Sequence, residues 1–181
     1  MGGLFFSELF AEASTPTTLD SQKRAPAGVS HGPKRYARAE VLTTATLTTD
    51  TAASQIRVKQ FKSGDRIHKI TVHNTADGGS GAVNMGLWKS GTAHDGAVVD
   101  ADIFLAAQSV SGASAAGGIE GFTDGALDDF DRGKTLWELA TVGAASYTSD
   151  PMEDWDVVIT ATATVATAQN YVVEFEYTSG D

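Results

Sequence analysis

Four histidines, 23 acidic residues and no cysteine set the chemistry open to this 181-residue chain. The absence of cysteine excludes disulfides and thiolate metal sites. The histidines stand at 31, 68, 73 and 94. His68 and His73 are five apart, so on one strand they point to opposite faces and share no metal, and no His-Glu-x-x-His is present. They read as solvated strand histidines. Gly133-Lys134-Thr135 resembles the tail of a phosphate-binding loop, but Asp128 stands where that loop needs glycine. Asp128, Asp129 and Asp131 would also repel a phosphate. With Asp124 these aspartates suggest calcium, yet Lys134 follows Gly133 and the bidentate glutamate of an EF-hand is missing. A solvated acidic loop fits better. Gly78-Gly-Ser80-Gly falls one residue short of a nucleophile elbow, because Ala82 takes the final glycine position. Trp88, Trp137 and Trp155 each end an apolar run. They suit core or interface packing more than an aromatic platform for sugar. No constellation is complete, so the expectation is a protein with no catalytic residues, no cofactor and no metal.

The elements around these residues are mostly strands. Period-two patterning begins at Tyr36 and runs through Ala39–Leu47, then Gln55–Phe61, Ile67–His73 and Ala82–Trp88. Asn74–Gly81 is a loop at every residue. Asp100–Val110 reads as the one helix of the body, with Asp100 as N-cap and Ile103, Phe104, Ala107 and Val110 at helical spacing. Gly112–Gly133 is a long excursion, and Thr135–Leu139 fits a short strand or a turn of helix. Asp156–Val165 and Tyr171–Tyr177 close the chain, with Val165–Asn170 expected to join them as a hairpin. The last strand alternates most cleanly, with Tyr171, Val173, Phe175 and Tyr177 against Val172, Glu174 and Glu176. Many short strands, long loops and one helix predict an all-β domain over 36–181, a β-sandwich or jelly roll.

Residues 1–35 read as an extended N-terminal arm, because Pro16, Pro26 and Pro33 block a continuous helix or central strand. Its start is too short and too acidic for a signal peptide or a membrane span, so no membrane association is expected. Five apolar residues, Leu4, Phe5, Phe6, Leu9 and Phe10, crowd its first ten positions, which favours a docking tip over a frayed terminus. Charge is uneven. Residues 1–73 carry a net of +4 and residues 74–181 a net of −14. Such a dipolar object suits oriented docking on a partner, and its acidic body argues against wrapping nucleic acid. The expected contact residues are Phe5, Phe6, Leu9 and Phe10 with Lys34, Arg35, Arg38, Arg57 and Lys59.

Four segments carry a family resemblance: Gly81–Trp88, Gly96–Gln108 (Gly-Ala-Val-Val-Asp-Ala-Asp-Ile-Phe-Leu-Ala-Ala-Gln), Leu136-Trp137 and Asp156-Val-Val-Ile-Thr160. Together they resemble small structural proteins of tailed bacteriophages, in which a strand ending Gly-Leu-Trp leads through a loop into a helix. The resemblance implies a virion component assembled in the host cytoplasm. Its first form is a capsid decoration (cement) protein on the head surface, bound to the major capsid protein and self-associated, as a trimer. A tail- or fibre-associated or head–tail virion protein is the structural alternative, and a carbohydrate-binding module using the tryptophans is the alternative of another class. The arm lies outside the resemblance.

Overall fold

Strand pairing in this chain follows a simple rule: the first strand meets the last, the second the last but one. A computed structural model describes residues 34–42, 55–91, 96–122, 127–128, 131–143 and 145–180. Its elements are β1 (Arg35–Leu42), β2 (Ile56–Lys62), β3 (Arg66–Asn74), β4 (Ala82–Lys89), β5 (Val98–Ser109), β6 (Ile119–Glu120), α1 (Leu136–Gly143), β7 (Asp154–Ala163) and β8 (Asn170–Thr178). β1 pairs with β8, β2 with β7, β3 with β6 and β4 with β5, all antiparallel. The chain is therefore one long hairpin. Rolling it up adds the β3–β8 and β4–β7 ladders, which gives two four-stranded sheets ordered β1-β8-β3-β6 and β2-β7-β4-β5. This is an eight-stranded jelly roll, the sandwich that the alternating strands predict.

Each sheet contributes its apolar face to a shared core. From β8 come Tyr171, Val173 and Phe175, and from β3 Ile67, Ile70 and Val72, all buried. Phe61 of β2 crosses from the other sheet and meets Phe175 and Tyr177 edge-on, with ring centroids 5.2 Å away in both cases. In β7, Val157, Val158 and Ile159 are consecutive and fully buried, so both faces of that strand are covered. The described residues begin at Lys34, so the apolar start and most of the arm lie outside them; Arg35 already opens β1.

Two expectations are corrected. Asp100–Val110 is not a helix; residues 98–109 form β5. Ile103, Phe104 and Leu105 are each at most 1% exposed, a run of three consecutive buried residues that the one-sided helical stripe does not predict. A bulged strand does bury it. β5 runs from Asp100 to Leu105 while β4 advances only from Leu87 to Met85. Gly86 permits this, because a Cβ there would lie 2.1 Å from the Asp100 carbonyl oxygen. Ala107, placed on the expected stripe, is exposed with a φ of 46°. Tertiary pairing has overridden local propensity. Val165–Asn170 is likewise not a hairpin. It carries the chain from one sheet to the other, since β7 and β8 are not neighbours.

The crossover is held by a buried side chain. Asp77 Oδ1 accepts from the Thr167 N–H at 3.0 Å and from its hydroxyl at 3.2 Å, and Oδ2 accepts from the Gly81 N–H at 3.3 Å. These donors, Thr167 foremost, hold the Asp77 carboxyl below the usual carboxylate range. The body's helix is instead α1. Thr135 caps it, with Glu138 accepting from the Thr135 N–H at 2.8 Å and hydroxyl at 2.7 Å. Gly133-Lys134-Thr135 thus forms a turn and a cap. Gly133 sits at a φ of +82° and Lys134 donates to Asp131 at 2.5 Å. α1 lies against β5, so the four segments that carry the family resemblance all fall on one sheet and its helix.

Candidate docking surface

β1 is the edge strand of its sheet, and its alternation puts Tyr36, Arg38 and Glu40 on the face away from the core. All three are exposed, Tyr36 to 77%. Across the sheet the same face continues through Glu176, Glu174 and Val172 of β8. Register sets Tyr36 opposite Glu176, Arg38 opposite Glu174 and Glu40 opposite Val172. On β3, Lys69, Thr71 and His73 stand opposite the same three β8 residues. A row of two glutamates is thereby flanked by cations on both sides. Between them lies an open concavity of about 390 Å³ whose lining includes Tyr36, Arg38, Lys69, Thr71, Glu174 and Glu176.

The electrostatics fix charges in place. Lys34 hydrogen-bonds and ion-pairs with Glu176; this contact raises the lysine pKa and lowers that of the glutamate. His68 donates to or accepts from the Thr178 hydroxyl at 3.2 Å, and burial, then Lys34, lowers its pKa. It occupies a bulge between Ile67 and Lys69, which breaks the simple alternation that put His68 and His73 on opposite faces. Elsewhere the direction is uniform. Lys89 and Lys134 are raised by hydrogen bonds to Glu153 and Asp131. Glu153 is lowered by Lys89. Burial works to raise Glu138 and Asp131, but their hydrogen bonds outweigh it and hold both low. Every carboxylate and lysine with a resolved shift moves away from neutral pH, the direction that pairing with hydrogen-bond partners imposes.

The expected contact residues divide into three groups. Phe5, Phe6, Leu9 and Phe10 lie outside the described residues. Lys34 stands just before β1, Arg35 at its start and Arg38 within it; by alternation Arg38 shares the outer face with Tyr36, and Arg35 has the opposite parity. Arg57 and Lys59 lie on β2 in the other sheet and are engaged internally. Arg57 forms an ion pair with Asp156, with only 15% of its side chain exposed, and Lys59 lies 5.1 Å from the Phe61 ring centroid and 5.4 Å from that of Tyr177. Tyr36, Glu174 and Glu176 were missed as site residues. The alternation of the last strand, read for its buried side, already marked the two glutamates as a solvent face.

The other candidates resolve into structure. Trp88 and Trp155 are buried, and Trp137 packs partly buried against the core, so the indoles form no exposed platform. Asp131 is held by Lys134 and accepts from the Asp128 N–H at 2.9 Å; Asp124 and Asp129 lie outside the described residues. Among the described residues no group of three His, Asp or Glu could hold a metal ion, and no helix is long and apolar enough to cross a membrane.

No family model matches the chain, and no curated protein does. Among solved structures it is similar to one titled "Cyanophage Pam1 capsid asymmetric unit", at 16% identity and a TM-score of 0.47, covering 91% of this chain and 99% of that one. A likeness of that degree carries no argument about what this chain does.

Proposed function

We propose that this protein is a phage virion component, a capsid decoration protein that binds the major capsid protein and stabilises the head. The observation that carries this reading is the exposed, charge-ordered outer face of the β1-β8-β3-β6 sheet, where the basic segment 34–38 surfaces beside a strand edge that is unpaired among the described residues. Such a face suits binding by charge complementarity. The bacteriophage resemblance points the same way. By analogy the fold agrees, since jelly rolls recur in viral capsid and lectin domains, although a fold alone does not assign a function. Arg57 and Lys59 are bound within the domain, so the docking set becomes residues 1–33 with Lys34, Arg35, Arg38 and Lys69. Homotrimers at threefold sites between capsomers would give each copy neighbours on the shell.

Copy number tests this directly. Purified particles should carry the protein in hundreds of copies; a few dozen or fewer would move it to the tail, and absence from particles would end the proposal. Deleting residues 1–20 should leave the sandwich folded and release it from particles in high salt. Retention of the truncated protein at full occupancy would remove the arm from the docking set.

A further inference from the structure

We propose that the free edge of β1 pairs antiparallel with β1 of a second copy, centred on Ala39, so that two four-stranded sheets become one of eight strands. The two sheets have four edge strands: β1, β6, β2 and β5. Three of them carry devices that discourage further pairing. β6 is two residues long. β5 shifts register three times against β4. β2 is bulged between Arg57 and Lys59. Short, bulged or twisted edges are how sheets avoid joining end to end. β1 has none of these. It runs eight residues in unbroken register with β8 and pairs on one side only among the described residues.

Its side chains then select what may pair. Arg38 and Glu40 stand two apart on one exposed face, and among the described residues neither has an ion-pair partner. Antiparallel pairing about Ala39 sets Arg38 of each copy opposite Glu40 of the other, and Ala37 opposite Val41. Opposite charges directly across a ladder stabilise it, and like charges there destabilise it. Centring on Arg38 or on Glu40 would place a charge against its own kind. Centring on Ala37 would set Glu40 against Lys34, which already hydrogen-bonds Glu176. The twofold contact is self-complementary, as closed pairs require. It does not rest on the virion role. Alone it makes a dimer; together with a threefold contact on another surface it makes six-chain assemblies.

Sedimentation of the full chain, with the variants Arg38→Glu and Glu40→Arg, tests the pairing. Each reversal turns two symmetric attractions into repulsions and should weaken association roughly tenfold. An equimolar mixture of the two variants should restore it, because a chain acidic at both positions then faces a chain basic at both. The chain lacks cysteine, so a mixture of Arg38→Cys and Glu40→Cys should give a mixed disulfide on mild oxidation. A parent chain that stays monomeric overturns the proposal. So does association indifferent to both reversals, failure of the mixture to recover, or cross-linking only between like variants.

Discussion

The two sheets share a core but deploy their outer faces differently. In the β2-β7-β4-β5 sheet the central strands are buried through and through: Val157, Val158 and Ile159 on β7, and Met85, Gly86, Leu87 and Trp88 on β4. Two ion pairs lie on it, a largely buried one between Arg57 and Asp156 and a partly exposed one between Lys89 and Glu153. In the β1-β8-β3-β6 sheet β8 alternates, and Glu174 of β8, Lys69 of β3 and Arg38 of β1 are exposed on the outer face, with Glu176 partly exposed beside them. One sheet is committed to stability and the other keeps a surface that can be recognised. Mutations should therefore separate folding from binding according to sheet.

The largest effect should come from Trp155→Ala. Removing a fully buried indole that packs on Tyr147 at 5.5 Å should cost about 3–5 kcal/mol in chemical denaturation. A loss below about 1 kcal/mol would show that the sheet tolerates a cavity there. Next, Gly86→Val should destabilise by about 1–3 kcal/mol or more, since β5 cannot back away from its side chain without losing the pairing that buries Ile103, Phe104 and Leu105. An unchanged midpoint would disprove the close approach. Thr135→Ala removes the N-cap hydroxyl of α1 and should cost about 0.5–2 kcal/mol, seen as a lower Tm.

Acid should also distinguish two of the places where carboxylates are held low. The folded pKa values of Asp77 and Glu176 lie below their ordinary ones, so their stabilisation is present above the ordinary carboxylate range and is lost as pH falls through the folded values. Asp77→Asn should flatten the acid limb of a stability–pH curve more than Glu176→Gln, because Asp77 is 4% exposed and the Glu176 side chain 20%. The reverse order would mean that the surface pair, not the crossover latch, governs acid unfolding. The smallest effect belongs to Arg38→Ala, which should leave folding stability within about 0.5 kcal/mol while weakening self-association.

How much of this was legible depended on whether a segment's fate was local. Tyr171–Tyr177 and Ile67–His73 announced strands because period-two burial is a local signal. Asp100–Val110 did not. Its helical spacing was genuine in the sequence, and only the distant Gly86 and the β4 ladder turned it into a bulged strand. Thr135–Leu139 stayed open between strand and helix because the eight-residue helix that Thr135 caps is too short for its spacing to decide. Of the expected contact residues, Lys34, Arg35 and Arg38 lie close in sequence at the start of one strand, a proximity that any fold preserves. Arg57 and Lys59 stand on the other sheet, where Asp156 pairs with Arg57 and the Phe61 and Tyr177 rings lie near Lys59.

The order of strands also sets a timetable for synthesis. β8 sits between β1 and β3, and β7 sits between β2 and β4, so the middle of each sheet is supplied by residues 154–178. While a ribosome is still translating the earlier strands, β1 and β2 have no neighbour to pair with. Neither sheet closes until almost the whole span to Thr178 has emerged from the exit tunnel. Such distant pairings fold slowly and leave earlier strands exposed meanwhile. β1 is held in its final register only once β8 has taken its place, so the edge that pairs with no other described strand reaches its folded form last.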